Sequence, residues 1–275
     1  MVKAGRLIKE NIKYADVIVE VADARIPQSS ADTDERLTGS KTKLIALNKA
    51  DLADPDTNRK WLAYFASKGI KAFLVDSLKN KGIEEILEYA KTSIYDRYKP
   101  QEDKGRISRA VKIMVIGIPN SGKSTFINSV VNKKATVTGD KPGVTKNKQW
   151  IRIHKDLIML DMPGILRPKI KDENSALNLA FTGAIKDEAV DVQELAIKLI
   201  CRLRRSGRDR LEARYGVSYT KEDTDLEIIE KIAFRRGFLG KGGKTDYERC
   251  SNILLDEFRA GKLGRMTLEE PPDNG

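Results

Sequence analysis

Apolar residues in the first part of the chain follow two spacings, one typical of strands and the other of helices, and segments of the two kinds alternate. Short apolar runs rich in β-branched residues predict buried strands at 16–23, 43–47, 71–75, 111–116 and 157–160, with a further strand at 150–154. Between them, residues 55–68 and 82–98 carry apolar side chains at helical spacing, and an amphipathic helix is predicted over 1–14. Strands alternating with helices of this length are typical of βαβ units in a mostly parallel sheet.

The pattern changes near residue 174, after which the apolar spacing is helical. We therefore predict an α/β domain over residues 1–173 and a helical domain of about four helices over residues 174–275. The polar stretch Tyr98–Ala110 contains a proline and a glycine, and it predicts an exposed connector inside the first domain.

The stretch Gly117–Thr125 (GIPNSGKST) lies between a predicted strand and a predicted helix. This is the context in which a GxxxxGK[ST] pattern indicates a phosphate-binding loop rather than a plain glycine-rich turn. Gly117 and Gly122 let backbone N–H groups point at a phosphate chain, and Lys123 reaches its outer phosphates. Ser124 can offer a hydroxyl to magnesium. The remaining candidates for nucleotide contact in this loop are Asn120, Ser121 and Thr125.

A second polar motif, Asn48-Lys49-Ala50-Asp51, follows the strand at 43–47. A carboxylate such as Asp51 can accept hydrogen bonds from the ring N–H and the amine of guanine, whereas adenine offers no matching pair of donors. Asn48 can hold the loop and the base edge, and the stem of Lys49 can cover the ring. Asp76 and Ser77 fit a weaker loop that closes over the base. Beside a phosphate loop, this motif favours GTP or GDP as the ligand.

Two further segments predict nucleotide-dependent switches. Residues 136–150 are rich in glycine, lysine and threonine, and Thr145 is the candidate for a second hydroxyl on magnesium when a γ-phosphate is bound. The strand at 157–160 leads into Asp161-Met162-Pro163-Gly164, a DxxG element. Asp161 can reach magnesium through water, and the N–H of Gly164 can bind the γ-phosphate.

Charge points to an anionic partner. The 275 residues contain 51 Lys and Arg against 40 Asp and Glu, for a net charge of +11 and a pI near 9.4. Residues 198–214 concentrate seven of these cations, which favours phosphate contacts to structured RNA, although a solvated helix face is the alternative. No apolar run reaches membrane-spanning length, so we expect a soluble cytoplasmic protein that uses no membrane.

The order of these motifs is that of a circularly permuted GTPase, because the base-reading loop precedes the phosphate loop and the two switches follow. In detail the chain resembles the bacterial ribosome biogenesis GTPase A family over essentially its whole length. The segments that carry the resemblance are DARIPQSS (23–30), NKAD, GIPNSGKST, GDKPGVTKNKQW (139–150), DMPGIL, TGAIKD (182–187) and GKLGRMTLE (261–269).

The resemblance implies a P-loop NTPase fold, circularly permuted, followed by an all-α RNA-binding domain. It implies a factor that binds a late precursor of the large ribosomal subunit, contacts its rRNA, and hydrolyses GTP as maturation completes. We expect it to be monomeric off the ribosome. The resemblance also implies activation by potassium, with Asn120 as a ligand of that ion. The expected catalytic set is then Lys123, Asn120, Thr145 and Gly164.

The resemblance leaves the water-positioning residue unassigned. Ile165 stands where Ras-like enzymes carry a glutamine, and an aliphatic side chain cannot orient water, so we expect slow hydrolysis without ribosomal subunits. Members of the family often carry a histidine in a short segment that would precede Met1-Val2-Lys3 here.

Two other classes of function remain open. A P-loop kinase or another small-molecule NTPase would share the phosphate loop but would not need the guanine-reading motif at Asn48–Asp51. An RNA-binding scaffold would bind nucleotide only for its structure and would show negligible turnover.

Overall fold

The computed structural model describes residues 10–31, 39, 41–102, 110–138, 150–161, 170–205 and 210–272, with the backbone alone for 96–102, 133–138 and 161. Contacts divide the chain into two compact units. The first comprises Met1–Lys169 together with Met266–Gly275, and the second comprises Ile170–Arg265. The last ten residues therefore do not belong to the helical unit in which the sequence-based division placed them. The physical reason is backbone pairing, because the N–H of Met266 donates to the carbonyl of Leu52 at 2.9 Å.

The first unit is built on a six-stranded sheet. Its strands are β1 (Val17–Asp23), β2 (Thr42–Asn48), β3 (Lys71–Leu74), β4 (Val111–Ile116), β5 (Trp150–His154) and β6 (Leu157–Asp161), in the spatial order β3-β2-β1-β4-β6-β5. All neighbouring pairs are parallel except β5 with β6. The predicted α/β fold with a mostly parallel sheet is confirmed.

Four helices whose bounds lie within the described residues accompany this sheet. They are α1 (Pro27–Ser30), α2 (Pro55–Ser67), α3 (Ile83–Glu102) and α4 (Lys123–Thr138). Of the amphipathic helix predicted at the N-terminus, residues 10–12 are helical and the first nine lie outside the described part. The prediction that Tyr98–Ala110 is a connector is wrong in its first half, because α3 continues through Glu102.

Strand β1 lies at the centre of the sheet, and all seven of its residues are buried. Val17, Val19 and Val21 pack in a core with residues of α3 and α4, whereas Ala22 packs with Trp61 and other residues of α2 and β2. Burial on both faces explains the continuous apolar run in the sequence. The parallel strands all end at one edge of the sheet, so the loops after β1, β2, β3, β4 and β6 emerge together there.

The second unit is helical. Its helices are α5 (Glu173–Phe181), α6 (Val192–Arg205), α7 (Arg210–Tyr215), α8 (Asp225–Arg236) and α9 (Tyr247–Arg259). Both α5 and α8 begin with a capping box, and α8 ends at Gly237 in the left-handed conformation. Buried apolar residues of α6, α8 and α9 form its interior, which agrees with the helical spacing of the sequence.

Candidate functional site

The loop of residues 117–122 connects β4 to α4, and its two glycines are required by close backbone packing. A Cβ atom on Gly122 would lie 2.2 Å from Nδ2 of Asn48, and the residue has φ +87°. A Cβ atom on Gly117 would lie 2.6 Å from the carbonyl oxygen of Val21. Only glycine fits at either position without displacing its neighbours. The loop is therefore a tight cradle of backbone groups of the kind that binds phosphates.

Helix α4 begins at Lys123, directly after this loop. The side chain of Lys123 is buried, that of Ser124 is exposed, and that of Thr125 is half-buried. The first N–H groups of a helix have no partner within the helix, and the dipole favours an anion at that end. A buried lysine at the start of α4 adds a full positive charge, so this position suits a polyphosphate and the hydroxyl of Ser124 suits a cation bound to it.

Asn48, the last residue of β2, joins three loops through one side-chain amide. Its Nδ2 donates to the carbonyl oxygens of Ser121 at 3.1 Å and Gly122 at 3.4 Å. Its Oδ1 accepts from the backbone N–H of Ser77 at 3.2 Å and from the Ser77 hydroxyl at 2.8 Å. Asn48 is fully buried by these contacts. The structure thus brings the predicted base-reading motif, the phosphate loop and the Asp76-Ser77 loop together at one place.

Lys49 also contacts the phosphate loop. Its Nζ donates to the carbonyl oxygen of Asn120 at 2.5 Å, and both residues have left-handed backbones, with φ of 58° and 57°. Side chains other than glycine adopt this region infrequently, and it often marks a functional turn. Asn120 is exposed at the tip of its loop.

Two carboxylates lie near this edge in different settings. The carboxylate of Asp51 is 31% exposed and lies 3.8 Å from Nζ of Lys79, so it remains accessible to a ligand. That of Asp76 is buried, and its Oδ1 accepts from the backbone N–H of Lys79 at 3.1 Å. The side chain of Asp76 therefore stabilises the turn that contains it, whereas the adjacent Ser77 contacts Asn48.

The structure adds two charged residues to which the sequence analysis gave no role. Asp23 ends β1 and Arg25 follows it, and both side chains are only 2% exposed. Burial by itself raises the pKa of the Asp23 carboxyl, but the cations of Arg25 and Lys49 outweigh that effect and hold the pKa far below its usual range. The sequence does show an aspartate at the end of a predicted strand. Its role could not be predicted without the strand register, which pairs Asp23 with Asn48.

Of the three predicted switch residues, the structure describes only Asp161. Asp161 ends β6 and is paired in register with Val115 of β4, so its backbone reaches the same edge of the sheet as the phosphate loop. Thr145 and Gly164 lie outside the described residues.

Three of the described cations in residues 198–214 form ion pairs within the second unit. Arg204 pairs with Asp225 at 2.8 Å, Arg214 with Glu257 at 2.5 Å, and Lys198 with Glu194 at 3.0 Å. These pairs reduce the positive charge that residues 198–214 offer to a partner. A cavity of about 470 Å³ remains, and it is lined by Arg204, Arg205, Lys221 and the ring of Tyr219, among others.

Among the described residues, every helix is too short or too polar to cross a bilayer.

Comparison with known proteins places the site in a family. A family profile described as 50S ribosome-binding GTPase matches residues 112–230. A Bacillus cereus protein named ribosome biogenesis GTPase A is 40% identical over 277 residues, covering all of this chain and 93% of the relative. A protein of the same name from Thermotoga maritima is 31% identical and is covered over 92% of its length.

A solved structure agrees with these relatives. The structure described as GNP-bound YlqF from T. maritima has a TM-score of 0.66 and 27% sequence identity, over 98% of this chain and 99% of that chain. A GDP-bound structure of YlqF matches equally well. The order of motifs along the chain, with Asn48–Asp51 before Gly117–Thr125, is consistent with a circular permutation of this fold. With full-length relatives of this identity and the site described above, the chain belongs to the ribosome biogenesis GTPase A family and is a GTPase.

Proposed function

We propose that this GTPase binds a late precursor of the large ribosomal subunit, contacts its rRNA, and hydrolyses GTP as maturation completes. The observation that best supports the proposal is the Asn48 bridge, which joins a guanine-reading motif to a phosphate loop in a chain whose full-length relatives are named for ribosome biogenesis. A P-loop kinase is disfavoured, since it has no need for such a bridge.

In this proposal the guanine base is read after β2 and β3. The accessible carboxylate of Asp51 accepts the two hydrogen bonds that guanine can donate. The stem of Lys49 covers the ring, while Asn48, Asp76 and Ser77 hold the loops around it. A wrong base would leave the Asp51 carboxylate without its partners, which costs free energy and so gives selectivity.

The phosphates lie along residues 120–125. Backbone N–H groups at the start of α4 bind them, and the buried ammonium of Lys123 neutralises the outer phosphates. This electrostatic support grows in importance as charge moves to the leaving oxygen during hydrolysis. Thr145 and Gly164 are the proposed contacts to the γ-phosphate.

Two cations belong to the proposal. The exposed hydroxyl of Ser124 and the position of Asp161 at the end of β6 suit magnesium, with Thr145 as a third ligand. The exposed side chain of Asn120 suits potassium. When bound, potassium would neutralise the negative charge that develops on the phosphates, the role that an arginine finger has in other GTPases. Ile165 cannot orient water, so we expect slow turnover until the ribosomal particle completes the site.

The second unit is the proposed contact to rRNA, through the surface around Arg204, Arg205 and Lys221. Contacts of cations to phosphates are sensitive to salt and only weakly dependent on base sequence. The switch after β6 leads directly into this unit, which begins at Ile170, so we expect nucleotide state to alter affinity for the particle.

Co-sedimentation with purified large ribosomal subunits tests the proposal. We expect the full chain to pellet with the subunits in a non-hydrolysable GTP analogue, less so in GDP, and to be released by added salt. The variant Lys123→Met should lose the difference between the two nucleotides. Equal binding in both nucleotides, or none in either, would contradict the proposal.

A further inference from the structure

Asp23 and Arg25 form a buried ion pair directly after β1. The backbone N–H and Nε of Arg25 donate to Oδ1 of Asp23 at 3.0 Å each, and Nη2 donates to Oδ2 at 2.8 Å. Removing two charges from water is costly, and a buried pair seldom adds net stability over an apolar pair of the same shape. The pair therefore calls for an explanation beyond folding.

The same carboxylate also reaches the base-reading motif. Oδ2 of Asp23 lies 2.9 Å from Nζ of Lys49, and the register of β1 and β2 explains this contact. Asp23 lies opposite Asn48, the last residue of β2, so Lys49 begins the following loop beside the Asp23 carboxylate. The ammonium of Lys49 is held between two oxygens, one from Asp23 and the other from the Asn120 carbonyl at 2.5 Å.

Asp23 is itself held firmly. Its backbone N–H donates to the hydroxyl of Ser30 at 2.9 Å, and that hydroxyl donates to the carbonyl of Ile26 at 2.7 Å. With Arg25 on its other side, the carboxylate has a fixed place. Lysine has a flexible four-carbon stem, and its ammonium can donate in several directions. A fixed carboxylate restricts that freedom before a ligand arrives, which reduces the entropy lost on binding.

We propose that Asp23 is a positioning residue for nucleotide binding. Its carboxylate fixes the ammonium of Lys49 against the carbonyl of Asn120, and this sets the course of the Lys49 stem over the base. Arg25 keeps the carboxylate in place. The inference rests on the proposed role of residues 48–51 in reading guanine, and it extends that role to the loop after β1.

A double-mutant cycle on GDP affinity tests this inference, with the full chain in magnesium buffer. Asp23→Asn and Lys49→Met should each weaken GDP binding about tenfold, the size expected for one charge-assisted hydrogen bond. The double variant should bind no more weakly than Lys49→Met alone, because Asp23 acts only through Lys49. Unchanged affinity in either single variant, or additive losses of about a hundredfold in the double variant, would overturn the proposal.

A matched control separates positioning from general destabilisation of β1. Glu20 is a buried carboxylate on the same strand, and it forms an ion pair with Lys43 of β2 at 2.7 Å. Glu20→Gln should lower the melting temperature and leave GDP affinity unchanged. An equal loss of affinity in Glu20→Gln would overturn the proposal. If Asp23→Asn does not fold, Asp23→Glu displaces the carboxylate but keeps its charge, and the same cycle with Lys49→Met applies.

Asp51→Asn distinguishes failure of this inference from failure of the base-reading proposal. An amide can donate to the extra carbonyl of xanthine, so this variant should bind XDP better than GDP. No change of preference would mean that the base-reading role is wrong. A changed preference together with an additive cycle would mean that only the positioning role of Asp23 is wrong.

Discussion

The carboxylate of Glu269 accepts a hydrogen bond from the backbone N–H of Ser29 at 3.1 Å and another from the Ser29 hydroxyl. It also accepts from the N–H of Gln28 at 2.7 Å, so it satisfies N–H groups of the short helix α1. The backbone continues this attachment, since the N–H of Leu268 donates to the carbonyl of Arg25 at 2.8 Å. Residues near the end of the chain thus bind the loop that carries Asp23.

Glu269→Ala should destabilise the first unit by about 1–2 kcal/mol, because N–H groups at the start of α1 lose their acceptor. Chemical denaturation measures the change. The neighbouring Glu270 is the matched control, since it is 63% exposed and pairs with exposed Lys60 at 3.1 Å. Glu270→Ala should change stability by less than about 0.5 kcal/mol. Equal effects of the two substitutions would mean that the Glu269 contacts do not hold the segment.

Gly122→Ala should lower GDP affinity by about one to two orders of magnitude, because the added Cβ would meet Nδ2 of Asn48 at 2.2 Å. Isothermal titration with GDP measures this loss. Gly69 is the control, since its φ of +71° is equally left-handed but no atom lies within 4 Å of an added Cβ. Gly69→Ala should lower stability by about 1 kcal/mol and leave affinity unchanged. A full-affinity Gly122→Ala variant would refute the packing described for this loop.

Acid should selectively remove the contribution of Asp23 to stability. The pKa of this carboxyl in the folded protein lies below its ordinary value of 3.8, so its stabilising effect is fully present above about pH 4 and is lost as the pH falls below that value. The difference in unfolding free energy between the parent chain and Asp23→Asn should therefore shrink below pH 4. A difference that stays constant down to pH 2 would show that Asp23 is not held in its ionised form.

Thiol labelling tests the surface proposed for rRNA. Cys201 is half-buried and lines the cavity beside Arg204, whereas Cys250 is buried and its burial raises the pKa of its thiol to about 11. At pH 8 we expect Cys201 alone to react in the folded chain, and Cys201→Ser to abolish that reaction. Large ribosomal subunits with a GTP analogue should slow the labelling. An unchanged rate in the bound chain would place the rRNA contact elsewhere.

Hydrophobic patterning was enough to predict the fold of the first unit, because buried parallel strands such as β1 appear as continuous apolar runs. The motifs also predicted which loops meet, since Asn48 ends one parallel strand, Ser77 and Ser121 follow two others, and hydrogen bonds link all three. Their roles toward a nucleotide stay predictions.

Other contacts between residues far apart in the chain could not be predicted from the sequence. The role of Asp23 depends on its register opposite Asn48, and the attachment of Glu269 at Ser29 joins residues far apart in the chain. A count of charges in residues 198–214 likewise does not reveal that Arg204 and Arg214 are paired with Asp225 and Glu257. Such partners are determined by helix packing, which local periodicity does not define.

The most direct test of the function is GTP turnover by the full chain, with and without purified large ribosomal subunits, in potassium and in sodium buffer. We predict slow turnover by the chain alone and a marked stimulation by subunits that requires potassium. Asn120→Ala should remove the difference between the two salts. Stimulation that is equal in both salts would retain the ribosomal role and refute the potassium site. Turnover that stays negligible with subunits in potassium would contradict the account, and nucleotide would then have only a structural role.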